Sequence, residues 1–114
     1  MNQSVYTFWK IGRLVWNKRN NYFNPIEKFS LIFSYFYGNS YYFDRNDIRL
    51  MRRFYLDFPI FYEEMNKISW NQYKEIMILN NKKERYFYYY LSLFFSSDIS
   101  ETKEFILNDY YSRI

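Results

Sequence analysis

The sequence contains no cysteine and no histidine among its 114 residues. The first absence excludes disulfides and thiolate metal sites. The second removes the commonest general base and the commonest metal ligand. Because no Ser–His or Cys–His pair can form and no glycine-rich phosphate loop is present, we expect no catalytic residues, no bound metal and no cofactor, and hence a protein that is not an enzyme.

Glycine and proline are scarce, with two of each, and alanine is absent. So little glycine leaves no flexible linker, and the length predicts one domain over residues 1–114. No apolar run approaches a membrane span, and the first residues lack the pattern of a signal peptide. We therefore expect a cytoplasmic protein that does not contact membranes.

Aromatic residues, in contrast, make up 27% of the chain. Phe, Tyr, Asn, Ile and Lys share AT-rich codons, whereas Ala, Gly and Pro do not. The bias therefore indicates an AT-rich gene, from a low-GC bacterium or from a phage or other mobile element. The net charge of +4 is compatible with a polyanionic partner.

Apolar residues recur at three- and four-residue spacing, which predicts an all-α, compact domain of about six helices. In the second segment, Pro25–Tyr37, we expect a buried stripe of Ile26, Phe29, Ile32, Phe33 and Phe36. Gly12, in the middle of the first helix, predicts close approach of another backbone. One short β-hairpin, at Asn20–Phe23 or Asn39–Phe43, is an alternative for part of the chain. The helical segments are Ser4–Lys18, Pro25–Tyr37, Asp44–Phe58, Pro59–Asn66, Ser69–Leu79, Asn81–Phe95 and Ser100–Arg113.

The segment Asp44–Phe58 has the pattern of a nucleic-acid recognition helix. Asp44 is a predicted N-cap, and the positions facing away from the apolar stripe are rich in arginine. Arginine binds guanine edges and phosphates, so a helix, a turn and this helix together predict a helix-turn-helix. The alternative is a solvated basic helix. The predicted DNA-binding residues are Arg45, Asn46, Arg49, Arg52 and Arg53.

One acidic group resembles a catalytic motif, because Asp98, Glu101 and Lys103 contain the Glu-x-Lys of PD-(D/E)XK nucleases, which bind Mg²⁺. In those enzymes the residues lie on adjacent strands. Here they fall in the first turn of a predicted amphipathic helix, and we interpret them as helix residues without a catalytic role.

Phe43–Pro59 (FDRNDIRLMRRFYLDFP) resembles the "F-S-x-x-N-L-x-x-M-R-x-F-Y-x-x-F-P" stretch in the N-terminal domain of YhcG-like proteins, domain-of-unknown-function family 1016. Phe8–Arg13 resembles the "Y-W-x-I-G" helix of that domain, and Ile68–Tyr73 resembles its "L-S-W-S-H-Y". Asn81–Tyr88 resembles "D-x-x-x-R-x-F-Y". The resemblance implies a helical, helix-turn-helix-like fold that usually precedes a PD-(D/E)XK nuclease domain and contacts DNA or protein partners.

The resemblance implies a stand-alone targeting domain that binds double-stranded DNA, as a monomer or a homodimer. Two positions differ from the family: Asp47 replaces an Asn of the recognition helix, and Gln72 replaces a His. Asp47 on the reading face would repel phosphate. Two alternatives stay open, namely a phage- or mobile-element-borne module that binds and inhibits a nuclease or other defence protein, and one half of a split nuclease.

Overall fold

The protein is all-α in the computed structural model, which describes residues 4–20, 25–37 and 43–114. No strand occurs in these ranges, and both proposed hairpins lie largely or wholly outside them. The Asn24 cap and the Gly38–Asn39 helix end expected around the second helix also lie outside. The helices are α1 (Val5–Asn17), α2 (Pro25–Tyr37), α3 (Arg45–Asp57), α4 (Trp70–Met77), α5 (Lys82–Phe94) and α6 (Ile99–Leu107).

The chain divides into two compact units. The N-terminal unit, Tyr6–Ile60, contains nearly all of α1 together with α2 and α3, and the C-terminal unit, Phe61–Ile114 with the start of the chain, contains α4, α5 and α6. The single domain predicted over residues 1–114 stays a prediction. So does the helix-turn-helix type, because seven residues separate α2 from α3, whereas the usual turn has about three or four.

In the N-terminal unit, α1 crosses α3 at Gly12. A Cβ atom at this position would collide with the carbonyl oxygen of Met51 and lie 2.6 Å from its carbonyl carbon. Only glycine therefore permits this approach, as expected from its place in mid-helix. Trp9, one turn earlier, donates its indole N–H to the carbonyl oxygen of Phe58 at 2.7 Å and meets the Tyr55 ring edge-on at 5.5 Å.

The inner face of α2 is narrower than expected. Phe29 is buried and its ring stacks on Phe33, which in turn packs against Phe43 at 5.8 Å. Ile32 and Phe36, predicted to complete the buried stripe, are 45% and 75% exposed, so that part of the prediction is wrong. Periodicity identifies apolar positions but does not say which of them will have a neighbour.

In the C-terminal unit, a buried polar network joins α4, α5 and α6. Gln72 donates from Nε2 to the Ser97 carbonyl oxygen at 2.7 Å and to Thr102 Oγ1 at 3.1 Å. The Thr102 hydroxyl also lies 2.8 Å from Ser92 Oγ. Gln72 accepts the N–H of Ser69 as well, which completes the predicted capping box of α4. The network specifies how the three helices meet, because each buried polar group needs its partner.

Tyrosine supplies much of the C-terminal core. The Tyr73 hydroxyl donates to the Met65 carbonyl oxygen, and its ring stacks on Tyr89. Burial raises the pKa of Tyr73 far above its ordinary value and raises that of Tyr89, which also lies near Glu64, to about 12. Both hydroxyls are therefore neutral core groups at physiological pH.

Two predicted segments end differently in the structure. The piece expected at Pro59–Asn66 is a 3-10 turn at Glu63–Lys67. The last helix was expected to run over Ser100–Arg113, but α6 ends at Leu107 and a separate 3-10 turn follows at Tyr110–Arg113. The break lies at Asp109, whose φ of 54° is left-handed. The Ser112 hydroxyl holds this conformation by donating to the Asp109 carboxylate at 2.6 Å.

We predict that Gly12→Ala destabilises the N-terminal unit by about 1–3 kcal/mol or more. The added methyl meets backbone atoms of Met51, which cannot rotate away as a side chain could. Urea unfolding followed by circular dichroism measures the loss. Asn17→Ala, an exposed substitution in the same helix, is the control, and equal stabilities of the two variants would contradict the crossing.

We also predict that Thr102→Val destabilises the C-terminal unit by about 1–3 kcal/mol, because it removes an acceptor for Gln72 and a partner for Ser92 at constant volume. Thr102→Ser retains the hydroxyl and should recover most of the loss apart from its methyl group. Thermal unfolding of both variants tests this. A valine variant as stable as the wild type would show that the network contributes nothing.

Candidate nucleic-acid interface

The start of α3 is set by Asp44. Its side chain accepts the backbone N–H of Asp47 at 2.8 Å, and its carbonyl accepts that of Ile48 at 3.0 Å. This confirms the predicted N-cap. The cap places Arg45 at the first helical position, so the register of every arginine along α3 follows from Asp44.

The two sides of α3 differ completely in chemistry. Ile48, Met51 and Phe54 are fully buried, and they face the core at i, i+3 and i+6. The five predicted DNA-binding residues lie on the other side of the helix. Arg45, Asn46 and Arg49 are exposed, whereas Arg52 and Arg53 are half-buried at its borders.

Asp47 is not part of this exposed side. It is 4% exposed and lies on the buried side with Met51 and Phe54. The expectation that Asp47 sits among the arginines and repels phosphate is therefore wrong. The error arose because an acidic residue in the first turn of a helix is usually solvated, while this one is turned inward next to its cap.

Three of the arginines line a groove with the first turn of α2. Arg45, Arg49 and Arg52 form one wall, Pro25–Glu27 form the other, and the groove has a volume of about 340 Å³. Glu27 reaches Arg45 at 3.6 Å. Since both side chains are more than half exposed, this ion pair is weak and open to competition. The groove was not predicted, because it joins residues that are far apart in sequence.

Arg52 is the most confined cation of the groove. Burial lowers its pKa from the ordinary value, and the charges of Arg49 and Arg53 lower it further. Within the described residues no carboxylate lies within salt-bridge distance of it. Arg49 donates to the Asn46 side chain, at 3.2 Å. The groove thus concentrates positive charge that an anion would neutralise.

Charge is distributed unevenly along the chain. The stretch Tyr6–Ile60 has nine basic and four acidic side chains, a formal net charge of +5, and Phe61–Ile114 has seven basic and eight acidic, a net charge of −1. The arginine side of α3 belongs to the basic stretch. A polyanion would therefore be attracted to the N-terminal unit rather than to the C-terminal one.

Two other sequence candidates have structural roles. Asp98 and Glu101 form the capping box of α6, in which each side chain accepts the other's backbone N–H. This geometry accounts for the acidic spacing that resembles a nuclease motif. Gln72, which replaces a family His, is 3% exposed and is used entirely in the helix network.

No family model, no curated protein and no solved structure matches the chain. Within the part of the chain that the structure describes, no helix has both the length and the apolar character needed to cross a membrane.

We predict that Asp44→Ala destabilises α3 by about 1 kcal/mol, because the N–H of Asp47 loses its acceptor. Asp44→Asn keeps a side-chain oxygen at the same place and should lose only a fraction of this. Guanidinium unfolding of the two variants provides the measurement. If alanine and asparagine behave alike, the cap does not set the start of the helix.

Proposed function

We propose that the protein is a non-catalytic module that binds double-stranded DNA through the exposed side of α3. The observation that carries the proposal is the grouping of Arg45, Arg49 and Arg52 along one groove, with Arg52 lacking a carboxylate partner among the described residues. An exposed arginine row on a capped helix can bind phosphates and reach base edges in the major groove.

The inward position of Asp47 supports this proposal. With Asp47 buried, the exposed side of α3 carries Arg45, Asn46, Arg49 and the borders formed by Arg52 and Arg53, and none of these is acidic. Glu27 is the one acidic side chain that lines the described groove, and its exposed pair with Arg45 can be displaced by a phosphate. The resemblance to the N-terminal domain of YhcG-like nucleases points to the same role, a targeting module.

The experiment is a titration of a fluorescent duplex of mixed sequence at about 50 mM salt, where electrostatic binding is strong. We expect the triple variant Arg49→Ala, Arg52→Ala, Arg53→Ala to weaken binding at least tenfold. Its logarithmic salt slope should fall by roughly one for each DNA phosphate that the variant no longer binds.

A second triple variant is the matched control. Lys67→Ala, Lys82→Ala and Lys83→Ala remove the same number of positive charges from exposed positions of the C-terminal unit. Near wild-type affinity is expected for this protein. Equal weakening of the two triple variants would show that net charge alone drives binding, and failure of the wild type to bind any duplex would overturn the proposal.

A protein-interaction module is the second candidate, and one observation favours it. Tyr90, Phe94 and Phe95 expose 48%, 75% and 68% of their surface near the end of α5, in a unit without net positive charge. Aromatic side chains of this kind are enriched at protein interfaces. A phage-borne inhibitor of a nuclease or other defence protein would use such a surface, and it would not bind the duplex.

A third candidate is the targeting half of a split nuclease. It shares the DNA-binding role of α3, and it adds a catalytic PD-(D/E)XK domain encoded in a neighbouring reading frame. Inspection of the adjacent genes tests this candidate, because a neighbouring frame without such a domain removes its basis while leaving duplex binding intact.

A further inference from the structure

Helix α2 has apolar side chains on its outer side as well as on its inner side. Phe29 and Phe33 face the core, where Ser30 also donates its hydroxyl to the Phe43 carbonyl oxygen at 2.7 Å. We call the opposite side the outer face of α2. It consists of Leu31, Ile32, Tyr35 and Phe36, which are 69%, 45%, 86% and 75% exposed.

This outer face is too large and too apolar for an ordinary solvent-exposed helix side. A helix that is apolar all round is normally buried. At about 200 Å² for a whole large apolar residue, the four exposed fractions leave roughly 550 Å² uncovered. The aromatic surface at the end of α5 leaves roughly 380 Å² on the same basis, which is ordinary for a monomer.

We propose that the outer face of α2 is covered by the same face of a second copy of the chain. From Phe29 to Tyr37 the helix contains no charged residue. Two copies of a unit with a net charge of +5 repel one another over most of their surface, so an uncharged face is where they can meet. About a two-fold axis, each side chain of the face contacts its own counterpart, which makes the face self-complementary.

The area is consistent with a small dimer. The outer faces of two copies together supply roughly 1,100 Å², and specific interfaces begin at about 1,200 Å². Side chains at the border of the face, such as the stem of Lys28, supply the remainder. The core of such an interface is apolar and aromatic, as Leu31, Tyr35 and Phe36 require.

The dimer does not depend on DNA binding, and it would add to it. Each particle would carry two copies of α3 with their arginines, as in proteins that read two half-sites of a duplex. The duplex titration and the measurement of oligomeric state are separate, so one proposal can fail while the other holds.

Two matched substitutions test the dimer. Phe36 and Phe94 are both 75% exposed, and each lies in the last turn of a 13-residue helix. By analytical ultracentrifugation at about 50 µM, a concentration that detects micromolar association, we expect dimers for the wild type and for Phe94→Glu. Phe36→Glu should be monomeric, with its dimer dissociation constant raised at least 100-fold. A monomeric wild type, or equal behaviour of the two variants, would overturn the proposal.

A cross-linking experiment covers the case in which Phe36→Glu fails to fold. Because the chain has no cysteine, Tyr35→Cys introduces a single thiol on the outer face, and a short bismaleimide should join two copies at low protein concentration. Phe94→Cys is the control and should stay largely uncoupled. Equal yields for the two variants would mean that copies meet at random, and some other partner would then be needed to cover α2.

Discussion

The contact between Gly12 and the backbone of Met51 determines which side of α3 faces solvent. Helix α1 can lie this close only because position 12 has no side chain. The crossing buries Ile48, Met51 and Phe54, so the arginines at the alternate positions must point outward. The basic surface is thus a consequence of helix packing. Without the glycine, α1 would move away and the distinction between the two sides of α3 would weaken.

The residues that carry the family resemblance are mostly the ones that build the fold. Trp9, Gly12, Met51 and Phe54 hold α1 on α3. Gln72 joins three helices, and Arg85 donates to the Leu79 carbonyl oxygen from a buried position. Of the proposed DNA-binding residues, Arg52 alone falls on a named position of the motif. The resemblance therefore speaks for a shared helical scaffold more directly than for a shared ligand.

Local features were predictable from the sequence because their causes are local. The Asp44 cap, the Ser69–Gln72 capping box and the helical periods each depend on residues within one or two turns. Features that depend on distant neighbours were not. The groove between Glu27 and Arg45, the burial of Asp47 and the exposure of Phe36 all follow from where α2 lies on α3, and a helical period contains no information about that position.

The arginines of α3 come at an energetic disadvantage to the isolated chain. Arg52 is half-buried beside Arg49 and Arg53, and its lowered pKa reports that its own charge is disfavoured there. A single acidic residue in place of Asn46 would relieve much of this repulsion, yet the chain has its nearest acidic side chain, Asp47, turned inward. A surface that serves only solubility needs no such crowding, because mixed charges serve that purpose equally well. Like charges held together without compensation are typical of functional sites, and here the ligand that would compensate them is an anion.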